Sequence, residues 1–340
     1  MDLELTEEQN WLREAVGEML ARSAGDDGLV PATAGDALWN GLVEFGALEV
    51  GGEEGLGAVE LALICWSLGG RLAAVPYADS AALAYVAPGH GRAALGLSEP
   101  GRSFAPTDPC TTLDGGRVTG AKSAVAFAAA VDGIAVTAAG PDGPVLALVA
   151  PGSAGVSVVP EPTLDPTVQP TCVTFDSAEA ESVATPSLRS LAAIAGVLAA
   201  AESVGAAAAV LDLACAYAAQ RRQFGQTIGS FQAIRHLLAD MYVKVESSWS
   251  SVLYAAAALD EREPDGLRTA SIAKAYAGRA THEVAHGALQ VFGGIAFTAE
   301  HPAHRFLRRI VVRSGQFGTP REHERSLGHG LARRRLEVPA

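Results

Sequence analysis

Residues Arg221 to Gln232 read RRQFGQTIGSFQ and gather two arginines, two phenylalanines, two glycines and three glutamines into one short stretch. Arginine presents a planar fork of donors that matches phosphate oxygens. Glycine lets the backbone approach a ligand closely. Phe224 and Phe231 offer apolar faces to a ring system. A helix predicted to begin at about Ser230 would add an N-cap and free N–H groups that favour an anion. These residue types point to binding of a phosphate-bearing aromatic molecule. The competing expectation is a capped connection between two helices.

The elements that must hold this stretch are long and alanine-rich. Apolar spacing predicts helices over Ser187–Gln220, Ser230–Asp260, Leu267–Phe292, Ala299–Val312 and Pro320–Leu331. Long helices with short connections give an antiparallel bundle, here a four-helix bundle over 181–340. The first ninety residues also read as helices. Thr6 followed by Glu7, Glu8 and Gln9 marks a helix start, and Asp36–Phe45, Val59–Leu72 and Ala78–Val86 follow. Between 91 and 180 the chain is rich in Pro, Gly, Thr and Val. Arg117–Gly120, Gly133–Thr137, Val145–Val149, Val156–Val159 and Cys172–Phe175 read as strands, without helices between them. That pattern predicts an antiparallel barrel or sandwich. The fold expected is mainly α with a small β-domain in the middle: 1–90 helical, 91–180 β, 181–340 helical bundle.

Composition excludes several classes. The chain has 340 residues, 49% hydrophobic and 19% charged, which is globular rather than disordered. A net charge of −13 argues against nucleic acid as the main partner. The last forty residues hold nine arginines against three glutamates, about +6, which leaves about −19 for the rest. Arg333 to Arg335 read as a solvated basic helix end. Four widely spaced cysteines form no zinc knuckle or disulfide framework, and a reducing cytoplasm fits. The N-terminus has no signal-peptide pattern. Leu191 to Ala219 is the longest apolar run, but Glu202 and Asp212 interrupt it, so a buried helix is expected and no membrane span. His282-Glu283-Val284-Ala285-His286 is an H-E-x-x-H on a helix, which a zinc protease would use. Five residues are a weak signal, and no metal site is expected. His301, His304, His323 and His329 are scattered and expected at the surface.

The order of elements, together with these motifs, resembles the acyl-CoA dehydrogenase family of flavoproteins. RRQFGQTIGSFQAIRHLLADM looks like the family's R-x-x-F-G…Q…LA-D/E-M segment, and QVFGGIAFTAEHPAHRFLRR like its Q-x-x-G-G-x-G…P…R segment. LSEPG is similar to T-E-P-G, and VTGAKSAVAFAAAVD to the strand with G-x-K-x-W-I-T-x-A. The resemblance implies FAD bound across a subunit interface, with the flavin on one subunit's β-domain and the adenosine-pyrophosphate on the next subunit's bundle. It places Arg221 at the pyrophosphate, Phe224 by the adenosine, Gln232 nearby, and Gln290, Gly293 and Gly294 along the adenosine side. Thr319 joins the cofactor-binding set.

The sequence also departs from the family. The glutamate that removes the substrate's α-proton sits in Y-E-G-T, and here the matching residues are GQFGT, with Phe317 in the glutamate's place. The alternative position of the base falls near Ala195. Glu202, two turns on, is a candidate for a displaced base but reads as a common helix feature, as does Glu246. The W-I-T that touches the flavin is Ala124-Val125-Ala126, and GRSFAPTD lacks the family's G-S-D-like run. No catalytic residue is therefore assigned. The expected role is the base-lacking subunit of a heteromeric FAD-dependent acyl-CoA dehydrogenase of the sterol side-chain type. Its partners would be an acyl-CoA substrate and a related glutamate-bearing subunit, or a second copy in a dimer or tetramer. The alternatives are a homo-oligomer with a displaced base and a non-catalytic binding or scaffold subunit.

Overall fold

A computed structural model describes residues 3–51, 55–184 and 187–337, with side chains to 332. Pro186 and the side chains of Arg333 to Arg335 lie outside the described residues. Four helices come first: α1 (Glu7–Ser23), α2 (Gly35–Glu44), α3 (Ala58–Gly70) and α4 (Tyr77–Val86). Helix α1 starts where the sequence predicts. The Thr6 hydroxyl accepts the Gln9 N–H, and the Gln9 side chain accepts the Thr6 N–H in return.

Eight strands follow: β1 (Ala93–Gly96), β2 (Thr112–Asp114), β3 (Arg117–Ala126), β4 (Gly133–Gly140), β5 (Gly143–Val149), β6 (Val156–Pro160), β7 (Pro170–Glu179) and β8 (Glu181–Val183). They form one sheet in the order β6-β7-β3-β2-β4-β5-β8, with β1 also on β4. The five strands anticipated from sequence are present and most neighbours are antiparallel. The sheet is nonetheless mixed, because β1 and β2 both run parallel to β4. Strand β1 is buried at all four positions, so it shows no alternation to read. Gly96 within it leaves no room for a side chain: a Cβ there would lie 2.9 Å from Val136.

The remaining helices are α5 (Leu188–Gln220), α6 (Gln232–Asp260), α7 (Gly266–Phe292), α8 (Ala303–Gly315) and α9 (Pro320–Glu337). Helices α5 to α8 form the bundle and α9 lies against α7. Helix α5 is long and apolar enough to cross a membrane by length and composition, yet 89% of its most apolar window is buried inside this molecule. It is the central helix, flanked by α3, α4, α6, α7 and α8. Small residues let it be so. A Cβ on Gly205 would lie 1.9 Å from the Trp66 carbonyl oxygen, and one on Gly69 would lie 2.0 Å from that of Glu202. Helices α3 and α5 therefore touch backbone to backbone.

Buried charges join the three parts. Glu202 on α5 accepts from Arg309 Nη1 at 2.8 Å and from Arg313 Nη2 at 2.9 Å, both on α8. Arg309 also donates to Asp165 at 2.5 Å, in the segment between β6 and β7, and to the carbonyls of Leu72 and Ala73 after α3. Gly205→Ala should therefore force the α3–α5 crossing apart and cost about 1–3 kcal/mol, the range of overpacked cores. A lowered midpoint in urea unfolding checks this, and an unchanged midpoint would contradict the backbone contact.

Candidate functional site

The sequence around Arg221 folds as a hairpin, which periodicity alone did not suggest. Helix α5 ends at Gln220, and β9 (Arg222–Gln223) pairs antiparallel with β10 (Gln226–Thr227). Phe224 and Gly225 form the two-residue turn, with φ of 52° and 84°. Positive φ at both positions is the type I′ pattern that suits a tight hairpin. Glycine takes it freely, whereas phenylalanine is strained there, and such strain collects at functional positions. The tie from Arg222 Nη2 to the Gly225 carbonyl, at 2.9 Å, steadies the turn. Phe224 is 92% exposed at its tip. The helix expected to start at Ser230 starts instead at Gln232. Residues Ile228–Ser230 form a 3-10 turn, and the Ser230 hydroxyl donates to the Thr227 carbonyl rather than capping α6. Gly229 explains the shift: a Cβ there would press on the Ala218 carbonyl oxygen at 2.9 Å, so the turn is folded tightly back onto α5.

The fold brings the second motif to the same end of the bundle. Tyr217, one turn before Arg221, packs against Phe292 with ring centroids 5.3 Å apart. Gln290, exposed, lies just before Phe292, and Gly293 ends α7 with φ of 68°. A Cβ on Gly225, Gly293 or Gly294 would meet nothing within 4 Å, so the surface there is open. Arg221, Phe224, Gln232, Gln290 and Gly294 are all exposed, and the Arg221 guanidinium has no protein partner among the described residues. An open face with an unpaired guanidinium and an exposed ring suits a dinucleotide's adenosine-diphosphate portion. Thr319 is elsewhere. It caps α9, its N–H and hydroxyl both donating to Glu322 at 2.8 Å.

The β-domain side is different. Glu99 of LSEPG accepts from the Cys110 and Thr111 N–H groups at 2.8 Å and from Lys122 Nζ, of VTGAKS, at 2.9 Å. Burial opposes its charge, but these donors outweigh burial and hold its carboxyl well below the usual range. Two motif fragments that resemble the family's thus meet in one structural clamp. Beyond it, the Ala124 N–H donates to Glu161 at 2.7 Å, and Val125, Ala126 and Phe127 are buried. No aromatic wall or hydroxyl faces outward at these positions, so this surface does not fit a flavin ring.

A cleft of about 510 Å³ opens at the opposite end of α5 from the hairpin. Its walls are the 104–107 loop, Ala192, Ala193 and Gly196 at the start of α5, the start of α7, and α9 with Glu322 and His323. The two positions where the resemblance places a base are buried next to its lining residues without lining it. Ala195 adjoins Gly196, and Phe317 is tied through its carbonyl to His323 Nε2 at 3.0 Å. Phe317 is 5% exposed with φ of 55°. Glu322 spends its carboxylate on Thr319 and on the Phe104 N–H, at 2.9 Å. Burial lowers the His323 pKa, and it faces the nearby Lys274 ammonium. Glu202 is not available as a displaced base, because each of its oxygens accepts from a buried arginine. Glu246 is exposed on α6. The H-E-x-x-H histidines share a face as predicted, with ring centroids 4.5 Å apart, but Glu283 is paired with Lys244 at 2.7 Å. No group of three or more metal-ligating side chains occurs among the described residues.

The model of the acyl-CoA dehydrogenase C-terminal domain matches residues 193–323. Acyl-CoA dehydrogenase IpdE2 of Mycolicibacterium smegmatis is 41% identical over 137 residues, which is 40% of this chain and only 42% of that protein. IpdE2 of Mycobacterium tuberculosis is 32% identical over 350 residues, covering 94% of this chain and 96% of that one. The chain belongs to the acyl-CoA dehydrogenase family. Among solved structures, a steroid acyl-CoA dehydrogenase variant, Tcur3481-Tcur3483, superposes with a TM-score of 0.86 at 26% identity over 97% of this chain and 99% of that chain. The ChsE4-ChsE5 complex of M. tuberculosis superposes with a TM-score of 0.84 at 26% identity over the full length of both chains. FAD is the cofactor of this acyl-CoA dehydrogenase family.

Two buried groups that sense the Arg313 charge should make stability depend on pH. Burial raises the Asp79 pKa to about 6, and the Arg313 charge only partly offsets this. A raised carboxyl pKa means that the folded state holds a proton the unfolded chain has released. That contribution is complete below pH 3.8 and is lost as pH rises through about 6. Burial and then Arg313 lower the Lys274 pKa from 10.5 to about 7, so its contribution has the opposite sign: complete above pH 10.5, and lost as pH falls through about 7. Asp79→Asn should flatten the fall in stability between pH 4 and 6, and Lys274→Met the rise above pH 7, in melting temperatures taken across that range. A wild-type slope retained in both variants would contradict the assignment.

Proposed function

We propose that this chain is the base-lacking subunit of a heteromeric, FAD-dependent acyl-CoA dehydrogenase. The observation that carries the reading is Phe317: a buried phenylalanine stands where the resemblance places the proton-abstracting glutamate, and among the described residues no free carboxylate lines the nearby cleft. The bundle end supports a second element of the reading. Arg221 would pair with the FAD diphosphate, Phe224 would pack by the adenosine, and Gln232 and Gln290 would hydrogen-bond along it. Gly293 and Gly294 would admit the ligand to the backbone. Thr319, spent on the α9 cap, would at most contact the cofactor through its backbone carbonyl. The β-domain of this chain does not fit the flavin ring, so the ring would rest on a related subunit. When bound there, FAD would supply the acceptor for the substrate's β-hydride, and a glutamate of the related subunit would take the α-proton.

Steroid acyl-CoA dehydrogenase and ChsE4-ChsE5 among the structural relatives favour a sterol side-chain thioester as substrate and a two-chain assembly. Cytoplasmic localisation fits the four free cysteines. Co-expression with a glutamate-bearing relative should yield a complex with one FAD per pair of chains and acyl-CoA oxidation, whereas the isolated chain should have neither. A stoichiometric, active flavoprotein formed by this chain alone would overturn the proposal. Within the complex, Arg221→Ala should weaken FAD retention about tenfold or more, since a charge-assisted hydrogen bond contributes roughly 1.5–3 kcal/mol. Flavin absorbance per complex after gel filtration measures this, and full FAD content in the variant would remove Arg221 from the site.

A further inference from the structure

The H-E-x-x-H segment of α7 does not line the cleft, yet its two imidazoles stand as a pair. His282 and His286 are four residues apart, so they lie one above the other on the helix. The backbone that carries them is held from behind. Thr281, Val284, Ala285 and Ala288 are buried, and Gly287 has no room for a side chain against Met241 of α6. The two ring centroids are 4.5 Å apart, with the planes at 77°. Neither ring is hydrogen-bonded to another group among the described residues, and no nitrogen of His282 is sealed from solvent. Burial, and then the His286 charge, lower the His282 pKa against the opposing charge of Glu283. A neutral imidazole with a free lone pair is the form that binds a metal.

The spacing of the rings selects among metals. A cation about 2.1 Å from each imidazole nitrogen lies about 3.2 Å from each ring centre, so the centres are about 4.6 Å apart at a right angle and about 5.3 Å apart at the tetrahedral angle. The 4.5 Å observed fits the right-angled pair of an octahedral or tetragonal cation, which suits nickel or copper better than zinc. Rotation about χ2, a broad torsion in histidine, would aim both lone pairs at one point. The Glu283 carboxylate is taken by Lys244 at 2.7 Å, so it is neither a ligand nor the free base that a metalloprotease needs. No cluster of three metal-ligating side chains occurs among the described residues, so water would fill the other coordination positions.

We propose that His282 and His286 form a two-imidazole chelating site for a divalent cation of the nickel or copper type. The cation bridges successive turns of α7 and favours the folded helix, since the unfolded chain does not hold the rings together. It stiffens the turn that leads into Gln290, and does so whether or not that segment holds FAD.

The test is titration of the tag-free full chain with Ni²⁺, followed by calorimetry and by melting temperature. Ni²⁺ is the probe because Cu²⁺ oxidises thiols, and Cys110 and Cys215 are exposed. One Ni²⁺ should bind per chain at neutral pH and raise the melting temperature. His282→Ala and His286→Ala should each weaken binding about tenfold or more, as a chelate is reduced to a single imidazole, and should remove the rise. Their metal-free melting temperatures should stay near that of the unaltered chain, and His286→Gln repeats the test where an alanine variant melts early. Glu283→Gln should leave binding unchanged. Acidification to about pH 5 should release the cation, because protons compete for both rings. Absence of binding to the unaltered chain would overturn the site, as would binding that survives in both alanine variants or that Glu283→Gln abolishes. Several weak ions per chain, with neither histidine required, would mean adventitious binding only and would overturn it as well.

Discussion

The arrangement depends on the ion pairs buried around Glu202. A carboxylate and two guanidiniums removed from water persist only when every one of them is paired. Glu202 takes both arginines, Arg309 continues to Asp165, and the remaining Arg309 donors close on the carbonyls after α3. One side chain on α8 thereby holds the N-terminal helices, the β-domain and the bundle in one register. Replacing such a lattice with apolar groups can be neutral, but removing a single member leaves an uncompensated charge. This makes the lattice a constraint on geometry more than a source of stability.

That constraint decides what α5 can do at its two ends. Helix α5 is 33 residues long, about 50 Å at the usual rise per residue, and its middle is fixed by Glu202 and by the glycine crossing with α3. One end carries the hairpin with Arg221 and Phe224. The other borders the cleft walled by Ala192, Ala193 and Gly196. The two ends are too far apart for one ligand to engage both within a single chain. On the proposed reading, a cofactor held by the hairpin would react in an active site built mainly by another chain. The absence of a carboxylate at Phe317 and Ala195 then becomes compatible with a working enzyme, because the chemistry can be divided between subunits.

Some of the site was legible in the sequence because it is local. The capping pair Thr6 and Gln9, the long bundle helices and the five longer strands follow from residue type and spacing. Arg221 and Phe224 stood out by residue type in a glycine-bearing interruption that could equally have been a capped helix connection, and Gln290 only through the family resemblance. Other features were not local. The hairpin is only two residues per strand, too short for any period, and only backbone angles reveal its turn. Strand β1 is buried throughout, so its pattern could not be told from a helix segment.

By itself, then, the sequence determined which side chains could meet a phosphate and a ring, and that Phe317 stands where the resemblance places a glutamate. Those are properties of residue identity at counted positions. Only the tertiary structure decided that Glu202 is spent on arginines, that Glu99 and Lys122 form a clamp, and that the Arg221 and Gln290 segments share one open face. Each of these depends on partners far away in the chain. Pairing of buried charges and close approach of helices are set by the whole fold, and no window of sequence contains them.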